Sequence, residues 1–174
     1  MVNNFGQVWC VGAGTPIAGF VAGSAASGGR APVPEDPGLY TIDDSGIAVV
    51  RAEGYFLKWS TPPVAFSASR IRRAIWAARL DEHVRGIMLV IDSPGGVVAG
   101  AVAVADEVRA LNRLGPKPIA AYAEDVIAGS SYLIASGCCR ISAPPASRIG
   151  GLGISFRIFD SSGALAREGI RAHA

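Results

Sequence analysis

Gly86-Ile87-Met88-Leu89-Val90-Ile91-Asp92-Ser93-Pro94-Gly95-Gly96 is the stretch whose reading decides the fold. From Gly86 to Ile91 it is unbroken apolar sequence, short, rich in branched side chains, and bounded by Arg85 and Asp92. Such a run is expected to be a central strand of a buried parallel sheet, covered on both faces. Ser93-Pro94-Gly95-Gly96 breaks it. Val97 to Leu114 then reads as a helix, closed by Pro116. Gly95 and Gly96 thus fall between a strand end and a helix start. Glycines there let the backbone approach a ligand closely, and free N–H groups at a helix start suit a carbonyl oxygen becoming an oxyanion. A plain tight turn is the competing reading of the same pair.

The neighbouring sequence repeats the alternation. Ile47 to Val50 reads as a short strand. Ser67 to Leu80 has helical spacing, with Ile71, Ile75 and Ala78 on one face and Arg70, Arg72, Arg73 and Arg79 mostly on a solvated one. Pro118 to Tyr122 is a further strand, Val126 to Ser136 a helix, and Arg140 to Ser142 a third parallel strand. Gly150 to Gly153 is a turn, Ile154 to Phe159 a strand, and Ser161 to Glu168 a helix that Gly169 stops. The order predicts an α/β fold with helices on a parallel sheet. Ser24 to Gly38 is rich in Gly, Ala, Ser and Pro, so residues 1–38 are expected to be a flexible arm and residues 39–174 the domain.

Composition narrows the function. In 174 residues, 16 basic groups nearly balance 14 acidic ones, which argues against a binder driven by phosphate contacts. Three cysteines, Cys10, Cys138 and Cys139, form neither a disulfide framework nor a zinc pattern and read as small buried residues. His83, in a polar run, reads as a solvated loop residue. No metal or cofactor is expected. Val8 to Ala26 is apolar, but Pro16 and several glycines break it and no positive charge precedes it, which disfavours a signal or membrane segment. Val11-Gly12-Ala13-Gly14 hints at a dinucleotide turn, but Ile17 stands where a third glycine belongs.

Ala128-Gly129-Ser130-Ser131-Tyr132 is the second chemical feature. Small residues followed by serine at a helix start are one way to present a nucleophile. An N-cap or a packed small-residue face is the alternative. A serine also needs a base. No histidine lies nearby, and the only lysines, Lys58 and Lys117, lie upstream.

Together these blocks resemble the signal peptide peptidase A family of serine peptidases, in particular its phage head maturation (minor capsid protein C-like) branch. The resemblance rests on Gly86 to Gly96, Val97-Val98-Ala99-Gly100, Lys117-Pro118-Ile119, Tyr132-Leu133-Ile134-Ala135-Ser136 and Gly150-Gly151-Leu152-Gly153-Ile154. It implies a Clp protease/crotonase-like fold, a Ser/Lys dyad, an oxyanion hole at Gly95 and Gly96, and assembly into homo-oligomers. It implies cleavage of capsid or scaffold protein, with phage capsid or portal components as partners, in the bacterial cytoplasm or the virion; the charge balance and the broken apolar stretch leave no nucleic-acid partner expected and disfavour a membrane one.

Two departures stand out. The family's nucleophile column holds Gly129, leaving Ser130 as candidate nucleophile and Ser131 as a weaker one. The family's lysine falls past Ala174, as in a domain truncated at its C-terminus. Lys58 is a poor substitute base, and Lys117 belongs to the strand-entry motif. The isolated chain is therefore expected to show little or no peptidase activity. A non-catalytic assembly subunit and a crotonase-like acyl-CoA enzyme are the alternative readings. A Clp-type triad is disfavoured, because no histidine follows Ser130 before His173.

Overall fold

The computed structural model describes residues 9–11, 38–58, 65–154, 162–167 and 169. Its strands are β1 Trp9–Val11, β2 Thr41–Ile42, β3 Ile47–Glu53, β4 Tyr55–Leu57, β5 Ala65–Ser67, β6 Gly86–Ser93, β7 Gly95–Val97, β8 Ile119–Ala128, β9 Ile141–Ser142 and β10 Arg148–Gly150. Its helices are α1 Ala68–Leu80, α2 Ala101–Leu114, α3 Ser130–Ala135 and α4 Ser162–Arg167. The larger sheet has the order β10-β8-β6-β3-β2, with β9 also against β8. All its pairings are parallel except β2 with β3. The fold is mixed α/β with a mostly parallel main sheet.

β6 is the central strand, as its apolar run demands. It pairs with β3 from Ile47↔Gly86 to Glu53↔Asp92 and with β8 on its other edge. Ile87, Leu89 and Ile91 are buried with Val50, Ile119 and Ala121 in the main core. Burial of side chains this size contributes about 1.5–3 kcal/mol each, which is why this run dictates the fold.

α1 starts where Ser67 Oγ accepts the Arg70 N–H at 3.3 Å, an N-cap. It buries Ala68, Ile71, Ala74, Ile75 and Ala78. Its solvated face carries Arg72 and Arg73, and Arg72 and Trp76 both donate to Glu107 of α2. At its far end Lys117 Nζ donates to the carbonyls of Ala78, Arg79 and Asp81 at 3.2, 2.9 and 2.6 Å. The ammonium satisfies acceptors that the helix leaves open and opposes the negative end of its dipole.

A second, four-stranded sheet has the order β1-β7-β4-β5, and it corrects the sequence reading. Val97 is not helical, and Gly95 and Gly96 do not start a helix. Gly95–Val97 is strand β7, and α2 begins only at Ala101, after Gly100 in a left-handed conformation (φ +89°). The reason is a non-local contact. A Cβ on Gly96 would lie 2.0 Å from the Phe56 carbonyl oxygen, so glycine is required for β7 to lie against β4.

Other boundaries shift too. Val126–Ala128 continues β8, and the helix predicted from Val126 shrinks to Ser130–Ala135. Ile154 lies outside any strand, and the rest of that expected strand falls outside the described residues, as does nearly all of the arm. His83 is exposed, as read. Of the two cysteines in the turn after α3, Cys139 is exposed rather than buried. Burial, and secondarily the Cys139 thiolate, pushes the Cys138 thiol up to about 12.

Two outcomes follow. Gly96→Ala is expected to lower unfolding free energy by about 3 kcal/mol in urea denaturation, because backbone cannot yield to the added methyl. Iodoacetamide at pH 8 is expected to modify Cys139 and spare Cys138 in the folded protein, read by peptide mass mapping.

Candidate active site

The site is built at the C-terminal ends of β6 and β8. Their register runs from Ile87↔Ile119 to Ile91↔Ala123, then slips so that Ser93 faces Ile127. Asp92 Oδ1 accepts the Val126 N–H at 3.1 Å and pins the bulged segment. Outside it, Arg51 pairs with Glu53 at 3.1 Å and Glu124 at 3.2 Å, exposed contacts of small energetic weight. Bulges of this kind re-aim a strand. Here β8 is carried on to Ala128, turns sharply at Gly129 and enters α3 at Ser130. Gly129 has φ +57° and ψ −125°, a state that L side chains adopt only under strain, and its N–H donates to the Gly150 carbonyl at 3.1 Å. A strand-to-helix turn of this sharpness is how a nucleophile elbow projects its residue. The position that the family pattern assigns to the nucleophile thus keeps the turn and carries no side chain.

The two following serines do different work, though both are 0% exposed. Ser131 Oγ lies 2.9 Å from the Ser93 carbonyl and 2.7 Å from the Ala128 carbonyl, with one proton to share, and accepts the Ala128 N–H at 3.2 Å. It is a tie between β6, β8 and α3, with no hydroxyl to spare for chemistry. Ser130 Oγ has no hydrogen-bond partner. An orphaned buried hydroxyl costs stability, and such groups in native proteins call for a functional explanation.

β7 lies beside this elbow, and α3 packs on it. Of its two glycines, Gly95 has φ +100° and gives its N–H to Ser93 Oγ at 3.1 Å. That hydrogen bond removes Gly95 from the pair of free donors read from the sequence. Sequence reasoning also missed Ser93. It is fully buried, and it joins Gly95 through its hydroxyl and Ser131 through its carbonyl. Its one sequence signal is its place at the end of the central strand.

Lys117 is kept away from the elbow by its place in the fold. Lys117 precedes β8 and Ser130 follows it, and a ten-residue strand spans roughly 30 Å. Its amine is also held by two α1 carbonyls and by that of Asp81 just past the helix. Lys58 is exposed at the end of β4. Among the described residues no group of three or more His, Cys, Asp or Glu could hold a metal ion. Nor is any described helix long and apolar enough to cross a membrane.

Comparison with known proteins agrees with this geometry. Residues 113–174, which include the elbow and α3, match the model of peptidase family S49. That segment carries the likeness to the family. Among its relatives is the head-tail preconnector protein GP5 of Enterobacteria phage P21, 39% identical over 93 residues, 53% of this chain and 18% of that protein. Capsid assembly protease C of Escherichia phage lambda is 30% identical over 130 residues, 72% of this chain and 29% of that one. Protease 4 of Salmonella typhi is 31% identical over 121 residues, 68% of this chain and 19% of that one. The chain spans less than a third of the length of each. The family resemblance read from the sequence is borne out.

The serine pair makes a stability prediction. Ser131→Ala removes the buried hydrogen bonds to the Ser93 carbonyl and from the Ala128 N–H and is expected to cost about 1–3 kcal/mol in denaturant unfolding. Ser130→Ala removes an orphaned hydroxyl and is expected to leave stability unchanged or raise it by about 1 kcal/mol.

Proposed function

We propose that this protein is a serine peptidase of the capsid-maturation kind, acting on capsid or scaffold protein during phage head assembly. The Clp protease/crotonase-like fold is the architecture that fits its sheet and elbow. The observation that carries the reading is the orphaned, buried Oγ of Ser130 at the strand-to-helix turn beside the glycine strand. The phage relatives, one of them named a capsid assembly protease, support the substrate class.

In this reading Ser130 Oγ attacks the scissile carbonyl carbon, and its proton passes to a neutral amine. The carbonyl oxygen becomes an oxyanion against the Gly96 N–H, with Gly95 shaping the strand. Collapse of the tetrahedral intermediate breaks the C–N bond. The amine returns the proton to the leaving nitrogen, and water then hydrolyses the acyl-serine. A lysine serves as base only when burial lowers its pKa. Lys117 is committed to α1, so the base is a lysine supplied from outside this sequence. Assembly of several copies is part of the proposal.

A missing amine can be supplied from solution. The purified chain treated with a fluorophosphonate probe is expected to label weakly alone and at least fivefold more with propylamine. That gain is expected to disappear in Ser130→Ala. Amine-dependent labelling that survives Ser130→Ala would remove Ser130 from the role, and no labelling under either condition would contradict the peptidase reading.

A further inference from the structure

The sequence marked Trp9 to Val11 only as part of an interrupted apolar stretch. In the structure it is a strand, and its place is specific. β1 pairs antiparallel with β7 in the register Trp9↔Val97, Cys10↔Gly96, Val11↔Gly95. β7 has β4 on its other edge, so β1 is the outermost strand of this sheet. β1 also contacts α3, the helix that begins with Ser130. A segment from the start of the chain therefore lies along the glycine strand and against the serine helix.

We propose that Trp9–Val11 occupies this edge of β7 in cis as an internal pseudosubstrate, in the place that an extended peptide substrate would take. The substrate class rests on the peptidase reading above. An unpaired strand edge recruits any extended backbone, and it does so through main-chain hydrogen bonds that are tolerant of sequence. Gly95 and Gly96 suit the role, because with no side chains they let an incoming backbone approach closely. The ladder to be displaced is three residues long. Because each such bond replaces one to water and so is weak in net terms, the ladder can exchange for a competing peptide. The occupant is removed by competition or by remodelling of the segment, which makes the same contact both a model of substrate binding and a restraint on it.

The test uses the full 174-residue chain in a Ser130→Ala background, so that binding is read without hydrolysis. The probe is a fluorescein-labelled synthetic peptide of residues 5–13, with serine in place of Cys10, followed by fluorescence anisotropy. The double substitution Cys10→Pro/Val11→Pro removes N–H donors at two successive positions and so disrupts either hydrogen-bonding phase of the ladder. It is expected to bind the probe at least tenfold more tightly than the chain with an intact β1. Equal affinity in the two chains, or binding by neither, would overturn the proposal.

A second variant keeps the test decisive if the prolines impair folding. Directly opposite residues of an antiparallel pair lie about 4.5–5.5 Å apart at Cα. That is within the reach of a disulfide, about 4.4–6.8 Å. Trp9→Cys/Val97→Cys, with Cys10→Ser, is expected to cross-link under mild oxidation, to bind no probe when oxidised and to regain binding when reduced. Failure to cross-link, or unchanged binding once cross-linked, would contradict the pairing or its competition with peptide. None of these readouts depends on a nucleophile. Loss of probe labelling at Ser130 with intact peptide exchange would count against the peptidase reading alone.

Discussion

The hydrogen bonds around Ser93 hold four elements in one place. Its hydroxyl accepts the Gly95 N–H at 3.1 Å and so fixes the turn from β6 into β7. Its carbonyl accepts the Ser131 hydroxyl at 2.9 Å and so fixes the start of α3, which Ser131 also ties to Ala128 of β8. All of this is buried, where an unmade hydrogen bond carries the full desolvation cost. The glycine strand, the Gly129 elbow and Ser130 keep their mutual positions because these few bonds are satisfied together. Ser130 is the member of the group left without a partner.

That arrangement explains why part of the molecule was readable from sequence. β6 announces itself because six consecutive apolar residues have no solvated face to offer, and α1 because its apolar spacing and Ser67 cap are local signals. The resemblance pointed to the family for the same reason, since it rests on blocks of contiguous residues. What was misread depends on partners far along the chain. Gly95-Gly96-Val97 has the composition of a turn, and it becomes a strand only because Phe56 lies against Gly96. Val126 to Ala128 looks helical until Asp92 pins the bulge that carries β8 onward. Ser130 and Ser131 look alike in sequence; in the structure Ser131 is bonded to Ala128 and to a carbonyl 38 residues upstream, and Ser130 Oγ has no partner.

The function follows the same division of labour. The elbow, the glycine strand and the candidate nucleophile are assembled within this chain. In the proposed reading the base comes from elsewhere, because Lys117 does structural work at the far end of β8 and caps α1. Under the proposed function, a site divided in this way couples hydrolysis to assembly: the serine stays quiet until an amine is brought to it, and the proposed pseudosubstrate holds the edge beside it.

The central claim is that Ser130 is the reactive hydroxyl of this site. Tandem mass spectrometry of the probe-treated chain, digested after incubation with propylamine, addresses it most directly. The account predicts a phosphonyl adduct on Ser130 and an unmodified Ser131 and Ser93. An adduct on Ser131, on Ser93 or on a serine remote from the elbow would contradict it.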